Sequence, residues 1–564
     1  MLPLRRPPSL PRSRSMAVWR RDAIALAALA VCGAGADLPR IKIRRSNFMQ
    51  GDQIVTPMGG NYVIKAQPWY PPPEIVTQNA LGMAAGVLNM NYTPPNDRKA
   101  VPVVRLGTYF EGYMPNEPGV VDTAWMQSLN ATIAAFAEAG VYVILDSHQD
   151  AISATGGGAG LPWWMTAWMQ ENAGSVPDCP GCQASDSYIT TPSHPLRICL
   201  PEPIKAALRQ AGVPIPAINV VNDTDPWLAY SVGSGTGDPA SMSVGNINMR
   251  ANNHDEAWGT SQLHYTYQMQ NVAWRFYRAH RYPTEKAHIF DHYVAFMRYL
   301  ASLWEQFPNV IAIDLLNEPP WGGLPNLYWA EKCRTDLWDF YAAVFTELDT
   351  GATPVRAPFI LEDVAGSSFS PVLDVIMQVV QLEDISWGAI AKVREWSSKG
   401  QLIYEFHWYP DEPTEESLQS YMQGAYAMAT LLGSPPIYLA EFWTPEASTT
   451  AHWLGAAIDA GCGLATYWQF VDTGYTGTMG WFKYPDGVTE QTLTFSNASE
   501  VDWQAWDIYE QTVANGTYWG AAICGATGGK SNVLGKVPDS PVLPVGVSLV
   551  SGARLRVRRH GAQF

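Results

Sequence analysis

Two acidic residues each stand at the end of a short apolar run. Residues 311–316 are apolar except for one aspartate and lead into Asn317-Glu318-Pro319-Pro320, and a second run, 437–440, leads into Glu441. Such runs predict strands buried on both faces, and the prolines after Glu318 prevent the first strand from continuing. Two carboxylates at the carboxyl ends of two strands are the minimal equipment for hydrolysing a glycosidic bond.

This chemistry sets requirements on the two carboxyl groups. One must be ionised to act as a nucleophile, and the other must keep a proton near neutral pH to act as an acid. Burial and a neighbouring negative charge can raise the pKa of the acid by a unit or more. Retention of the anomeric configuration requires the two groups to lie about 5–5.5 Å apart.

Other polar and aromatic residues also follow the ends of apolar runs. Taken singly, each histidine is equally well explained as a structural residue and each tryptophan as part of the core. Their shared position at strand ends, where barrel enzymes build their active sites, favours one common site. These residues are Arg105, His148, Gln149, Asp150, His407, Tyr409 and Trp468.

The elements that must position these side chains can be predicted from the apolar pattern. Segments with helical periodicity, such as 123–139, 292–307 and 327–348, separate most of the apolar runs. Alternating strands and helices predict an α/β fold with a parallel sheet, and eight such units predict a (β/α)8 TIM barrel. Glu318 then closes the fourth strand and Glu441 the seventh. The eight predicted strands are 61–66, 101–106, 141–146, 310–316, 357–361, 402–406, 437–440 and 464–468.

The interval 151–280 breaks this rhythm with glycines, prolines and cysteines, and it predicts a long insertion after the third strand. Residues 502–513 predict a last helix, and 525–564 a tail of low order. The barrel domain therefore extends over 37–524. The residues after the last helix lack strand patterning, so no carboxy-terminal β-sandwich is predicted.

The amino terminus has the pattern of a secretory signal. Two arginines at 20–21 precede an apolar stretch at 23–31 and small residues at 34–36, so we expect a signal peptide over 1–36 and a secreted or lysosome-like location. Its removal would change the formal charge from -16 to -21. So acidic a chain is a poor candidate for binding nucleic acid or anionic lipid surfaces.

Six cysteines follow this signal, and an even number in a secreted protein predicts disulfides. The CxxC spacing at 179–182 lies in a loop rich in Pro, Ser and Asp, which favours a structural staple over redox chemistry or zinc. The six are Cys179, Cys182, Cys199, Cys333, Cys462 and Cys524.

These motifs resemble those of glycoside hydrolase family 5. Asn317-Glu318-Pro319 matches the acid/base motif of the family and Glu441 matches its nucleophile. The resemblance implies a retaining two-glutamate mechanism, with Asn317 on the 2-hydroxyl of the sugar and with Arg105 and Tyr409 supporting Glu441. It also implies that Trp468 stacks beneath the sugar at the cleavage site. Further recurring family positions are matched by His148 and His407.

Within this family, several segments are similar to endoglycoceramidases and related glycolipid glycosidases. By that resemblance, Lys65 and Asp150 bind sugar hydroxyls. The chain departs from the group in its longer insertion and in the missing β-sandwich, a domain that helps to present lipid-linked substrates. The similar segments are 60–65, 104–107, 111–112, 146–150, 291–293 and 406–409.

The resemblance implies that the substrate is a glycolipid or another β-linked glycan. No metal or organic cofactor is implied, because two carboxylates and water suffice. The aromatic segments 69–73 and 163–164 could form an apolar rim that contacts lipid, although they could equally be core or sugar platforms. A polysaccharide endo-hydrolase of the cellulase or mannanase type is the alternative, and a catalytically silent carbohydrate-binding barrel is a third hypothesis.

Overall fold

The computed structural model describes the backbone and most side chains of one large part of the chain. The described residues are 38–64, 69–71, 76–77, 79–80, 83–84, 92–96, 98–149, 152, 160–162, 164–165, 267–282, 288–320, 327–350, 353–363, 386–410, 413–442, 449–468, 471–472 and 482–483, with the backbone alone at 267–271, 327–334, 471–472 and 482–483.

A β-hairpin that the sequence did not predict precedes the barrel. Its strands β1 (Ile41–Arg44) and β2 (Asn47–Gln50) are antiparallel, and β2 pairs in the same way with β3 (Gln53–Tyr62). Ile41 and Phe48 are fully buried in the cluster of side chains that fills the barrel interior. Since Phe48 pairs near the start of β3, the hairpin lies at the amino-terminal ends of the barrel strands.

Eight parallel strands form the barrel, which confirms the predicted (β/α)8 fold. The first strand of the barrel is β3. The barrel closes because β3 pairs in parallel with both the second and the eighth strand of the barrel. Interior positions are filled by branched side chains such as Val103, Ile144 and Ile360, all buried. The strands after β3 are β4 (Lys99–Thr108), β5 (Tyr142–Ser147), β6 (Val310–Asp314), β7 (Phe359–Glu362), β8 (Leu402–Trp408), β9 (Ile437–Phe442) and β10 (Leu464–Tyr467).

The predicted first strand, 61–66, was wrong in its position, because β3 ends at Tyr62. The true strand contains Pro57, Gly59 and Gly60, which are residues typical of turns and conceal a strand pattern. Gly59 is required by close packing, because a Cβ at that position would lie 1.7 Å from the carbonyl oxygen of Val103 on β4.

Helices cover the outside of the barrel, and those predicted at 123–139, 292–307 and 327–348 are present with ends shifted by up to three residues. Asp122 begins α2 by accepting hydrogen bonds from the backbone N–H groups of Ala124 and Trp125. The helices are α1 (Phe110–Tyr113), α2 (Thr123–Glu138), α3 (Tyr267–Arg278), α4 (Ile289–Gln306), α5 (Leu327–Asp349), α6 (Trp387–Ser398), α7 (Glu415–Leu431) and α8 (Thr450–Asp459), with a 3-10 turn at Ala279–Arg281. A short parallel pair, β11 (Val471–Asp472) and β12 (Phe482–Lys483), follows β10.

The end of the predicted insertion is ordered structure rather than loop. Helix α3 packs on α5 through Phe276 and Phe340, whose ring centroids are 4.9 Å apart, and Arg278 forms an ion pair with Asp336. Most of 151–280 lies outside the described residues, as do the predicted signal, the helix at 502–513 and the tail at 525–564.

Cys462 takes no part in the disulfides that the even number of cysteines predicts. Its thiol is free and buried, and the sulfur lies 3.3 Å from the sulfur of Met422. The side chains of the other five cysteines lie outside the described residues. Among the helices that are described, none combines the length and apolar character needed to cross a membrane.

Candidate active site

Glu318 follows the carboxyl end of β6, in a backbone conformation that non-glycine residues rarely adopt. Its φ is +40°. The backbone is held from two sides, because Glu318 donates its N–H to Oε2 of Glu362 across 2.6 Å and its carbonyl oxygen accepts a hydrogen bond from Nε2 of Gln149 across 2.6 Å. The residue is only 8% exposed, so its carboxyl group lies in the barrel mouth.

Asn317 is fixed by the same surroundings. Its Nδ2 donates to the carbonyl oxygen of Gln149 (3.0 Å), its carbonyl oxygen accepts from Nε2 of Gln149 (2.6 Å), and its Oδ1 accepts from Arg105 (2.8 Å). The Asn317 amide is therefore held in place from both ends, next to the arginine that contacts Glu441.

Glu441 lies on β9 and is almost fully buried. Oε1 accepts a hydrogen bond from Nη1 of Arg105 across 2.5 Å, and Oε2 accepts one from the hydroxyl of Tyr409 across 2.7 Å. Two donors aimed at the two oxygens of one carboxylate stabilise its negative charge.

The two glutamates meet at His407. Nδ1 of this histidine lies 2.8 Å from Oε1 of Glu318 and 3.7 Å from Oε2 of Glu441. One carboxylate oxygen of each glutamate and the His407 nitrogen all lie within 4.8 Å of one another. The two carboxyl groups therefore approach each other closely enough to act on one bond of a bound molecule.

Arg105 is the central cation of the site and is completely buried. Burial alone would lower the pKa of its guanidinium group, but the surrounding carboxylates outweigh burial and raise it. Its Nη2 lies 2.5 Å from Asp314, and Asn61 accepts a hydrogen bond from Nη1 across 3.1 Å. The carboxylates that raise its pKa are those of Asp146, Glu405, Asp314 and Glu441.

The carboxyl groups below Arg105 do not share one protonation state. Burial raises the pKa of Asp314 to about 6, against the opposing effect of Arg105. Burial and the nearby Asp314 raise the pKa of Glu405 well above its usual range. In contrast, Arg105 and His148 lower the pKa of Asp146 despite its burial. Burial and like charges thus favour the protonated forms of Glu405 and Asp314, whereas Asp146 is favoured as a carboxylate.

His407 carries a positive charge at neutral pH. Burial opposes that charge, but the carboxylates of Glu362, Glu441 and Glu318 raise its pKa to about 10. Glu318, His407 and Glu441 are close enough to share one metal ion. A metal bound there would have to displace the proton that the surrounding carboxylates favour on His407.

His148 follows β5 and contacts both Asp146 on that strand and the ring of Trp468. Its Nδ1 lies 2.7 Å from Oδ2 of Asp146, and its ring stacks on Trp468 with a centroid distance of 5.6 Å and an interplanar angle of 12°. Tyr109 also packs against the imidazole, edge to face, with a ring centroid distance of 5.6 Å. Trp468 follows β10 directly, and its backbone N–H donates to the carbonyl oxygen of Phe442.

The structure thus brings together eight of the ten residues that the family resemblance placed in the site. These are Arg105, His148, Asn317, Glu318, His407, Tyr409, Glu441 and Trp468. Lys65 and Asp150 lie outside the described residues. The individual roles of all ten remain predictions.

Several residues of the site were missed from the sequence. Asn61 holds strands together by donating to the carbonyl oxygens of Ala440 and Tyr467. Glu362 ends β7 in the same way that Glu441 lies near the end of β9, so the strand-end signal for it was present. Gln149 was noted only as a strand-end residue. The remaining missed residues, Asp146, Asp314 and Glu405, are single acids within apolar strands.

The comparison with known families agrees with this geometry. Residues 96–176, which include β4, β5 and Arg105, match the family model described as cellulase (glycosyl hydrolase family 5). The chain resembles glycosyl hydrolase family 5. The resemblance predicted from the motifs is therefore confirmed.

One curated relative shows a local match. Endoglycoceramidase I of Rhodococcus hoagii (strain 103S) is 33% identical over 106 residues, which is 19% of this chain and 19% of that protein. The aligned part thus spans about a fifth of the length of the relative.

Two solved structures are similar at low identity. The structure of an endogalactoceramidase is 16% identical, with a TM-score of 0.45, over 77% of this chain and 75% of that one. Endo-glycoceramidase II from Rhodococcus sp. is 17% identical, with a TM-score of 0.42, over 81% of this chain and 80% of the other. At these identities and TM-scores, the likeness says nothing about substrate.

Proposed function

We propose that the protein is a retaining β-glycosidase that acts by double displacement. The observation that carries this proposal is the close approach of Glu318 and Glu441, whose carboxylate oxygens lie within 4.8 Å of each other and of the same histidine nitrogen. So close an approach fits the roughly 5–5.5 Å carboxyl separation of retaining glycosidases better than the roughly 6.5–9.5 Å of inverting ones.

The hydrogen bonds around each glutamate support a division of roles. Glu441 faces two donors, Arg105 and Tyr409, which suits a carboxylate that must stay ionised as a nucleophile. Glu318 lies 2.8 Å from Nδ1 of His407 and also beside a second carboxyl group, Glu362, and a like charge beside a carboxyl group favours its protonated form. Glu318 is therefore the acid/base residue of the proposed mechanism.

The reaction has two steps. In the first, a carboxylate oxygen of Glu441 forms a bond to the anomeric carbon, the bond to the leaving oxygen breaks, and that oxygen receives the proton of Glu318. In the second, the carboxylate of Glu318 removes a proton from water, and the water oxygen displaces Glu441 from the same carbon. The product keeps the anomeric configuration of the substrate.

We propose a glycolipid, of the endoglycoceramidase or glucosylceramidase type, as the substrate. Support comes from the local match to an endoglycoceramidase and from the similar sequence segments noted above. The rings of Trp69 and Tyr109 pack at a centroid distance of 4.9 Å and Tyr109 contacts His148, but both side chains are buried, so this part of segment 69–73 belongs to the core rather than to an exposed rim. The amino-terminal pattern supports a secreted or lysosome-like location for such an enzyme.

A polysaccharide endo-hydrolase is the second candidate, and the description of the matching family as a cellulase favours it. The two candidates share the same chemistry and differ only in the aglycone.

The test uses purified protein with aryl β-glucosides, aryl β-galactosides, glycosphingolipids in detergent and soluble β-glucans. Proton NMR of the first-formed sugar should show the β-anomer, and Glu441→Gln and Glu318→Gln should each remove nearly all turnover. A first-formed α-anomer would contradict the retaining mechanism. Binding of these glycans without turnover, by a folded protein, would favour the silent carbohydrate-binding hypothesis.

A further inference from the structure

Glu362 lies beside the candidate acid/base residue, Glu318, and accepts a hydrogen bond from its backbone. It is the last residue of β7, it is 4% exposed, and its Oε2 accepts the backbone N–H of Glu318 across 2.6 Å. No sequence motif singled it out. It is the one carboxyl group among the described residues that hydrogen-bonds to the Glu318 backbone.

The contact matters because the Glu318 backbone is strained. A left-handed conformation is unfavourable for a residue with a side chain and persists only when the surroundings hold it. Gln149 holds the carbonyl side of Glu318, and Glu362 holds the N–H side. Without Glu362, the peptide before Glu318 would lose a buried acceptor and could rotate, which would move the Glu318 carboxyl group away from the leaving oxygen.

Glu362 has a second route to Glu318 through His407. Its Oε1 lies 3.9 Å from Nδ1 of His407, the nitrogen that lies 2.8 Å from Oε1 of Glu318. Burial, together with the charges of Glu318 and Asp314, raises the pKa of Glu362 to about 8, and His407 acts in the opposite direction. The titratable groups that face Glu362 are Glu318 and Asp314 from the β6 side, His407 and Glu405 from β8, and Tyr341 from α5.

We propose that Glu362 is a positioning residue that fixes the acid/base glutamate through its backbone and adjusts its proton transfer through His407. The inference rests on the proposed glycosidase function. Glu362 touches no reacting atom in this scheme, so its removal should weaken proton donation and leave the nucleophile intact.

Leaving-group dependence distinguishes such a role from general damage, because an activated leaving group departs without a proton. Kinetics would compare a 2,4-dinitrophenyl β-glycoside with the phenyl glycoside of the same sugar. Glu362→Ala should lower kcat/KM for the phenyl glycoside by about 10–100-fold, the value of one charge-assisted hydrogen bond, and for the dinitrophenyl glycoside by less than about threefold. Placed in a Glu318→Ala background, it should add no further loss.

The conservative variant separates positioning from charge. Glu362→Gln keeps an oxygen that can accept the Glu318 N–H, so its activity at the pH optimum should recover to within about fivefold of wild type. It cannot ionise, however. A negative charge on Glu362 favours the protonated forms of Glu318 and His407, so its loss should move the alkaline limb of kcat/KM to lower pH by about half a unit or more.

Asp363→Asn is the matched control, because its carboxylate is the next in the chain but accepts a hydrogen bond from Trp338 instead. Any loss in this variant should be the same for both glycosides. Equal losses on both glycosides for Glu362→Ala, or a Glu362→Gln alkaline limb identical to wild type, would overturn the proposal. If Glu362→Ala does not fold, the pH dependence of kcat/KM for Glu362→Gln is sufficient to test the proposal. Wild-type protein that turns over neither glycoside would refute the glycosidase function itself.

Discussion

Nη1 of Arg105 lies 2.5 Å from Oε1 of Glu441, although the two residues are 336 positions apart in the chain. The guanidinium group is fully buried, and it also contacts Asp314 and Asn317. One cation therefore compensates acidic groups from several strands and connects the barrel interior to the candidate nucleophile. Stability and activity depend on the same side chain.

Replacing Arg105 with Gln should damage both properties. Removing one partner of a buried ion pair leaves uncompensated charge and typically costs about 3–5 kcal/mol. We expect a comparable fall in the free energy of unfolding, measured by urea denaturation, together with a loss of aryl glycosidase activity of at least about a hundredfold.

The control for this variant is an exposed cation. Lys399 pairs with Glu395 and Asp349 at the surface, so Lys399→Gln should cost less than about 1 kcal/mol and leave activity unchanged. If the two substitutions lowered the free energy of unfolding equally, the buried ion pairs of Arg105 would not be a major source of stability.

Tyr409→Phe removes the hydroxyl that donates to Oε2 of Glu441 across 2.7 Å. Burial and the charge of Glu441 raise the pKa of this phenol well above its usual range, so it remains a donor at every working pH. A hydrogen bond to a charged group is worth about 1.5–3 kcal/mol, which corresponds to a kcat/KM loss of about 10–150-fold. Steady-state kinetics with the dinitrophenyl glycoside should show this loss as well, in contrast to Glu362→Ala, because the nucleophile is affected. Unaltered kinetics would argue against the support of Glu441 by Tyr409.

Glu111 predicts a measurable pH dependence of stability. Burial raises the pKa of its carboxyl group from 4.5 to about 8, although the N–H of Gly160 donates to it across 2.7 Å and opposes the shift. Because the folded protein holds this proton more tightly than the unfolded chain, the contribution is fully present below pH 4.5 and is lost as the pH rises through about 8.

Glu111→Gln tests this dependence, since an amide oxygen can still accept the Gly160 N–H but cannot ionise. The free energy of unfolding of the variant, relative to wild type, should increase by a few kcal/mol between pH 5 and pH 8.5. Parallel pH curves for the two proteins would show that Glu111 is not a buried titrating group.

The fold could be predicted because most barrel strands are buried on both faces and appear as short apolar runs. The exception, β3, contains Pro57, Gly59 and Gly60. Gly59 is required there because β3 approaches Val103 on the neighbouring strand too closely for a side chain. A sequence pattern reports the residue type that such a contact requires, but it does not report the neighbour. The hairpin before β3 was missed for a related reason, since its burial depends on the barrel interior that it covers.

The site could be predicted where the chemistry lies at a strand end. Glu318, Glu441 and His407 follow that rule. Glu405 does not, because it is one acid inside an apolar strand. Asp314 ends β6, but the apolar run continues past it to Leu316 and conceals that end. Both acquire a role only through partners on other strands. The left-handed backbone conformation of Glu318 could not be predicted either, because the residue is not a glycine. The conformation is held by hydrogen bonds with the side chains of Gln149 and Glu362, which are distant in the sequence.

The most direct test of the two-glutamate mechanism is to trap its covalent intermediate. The protein would be incubated with a 2-deoxy-2-fluoro-β-glycoside bearing a dinitrophenyl leaving group, digested and examined by tandem mass spectrometry. We expect one fluorosugar attached to Glu441, formed at a much reduced rate in Glu441→Gln. A label on any other residue, or rapid turnover with inversion and no label, would contradict the assignment of Glu441 as the nucleophile opposite Glu318.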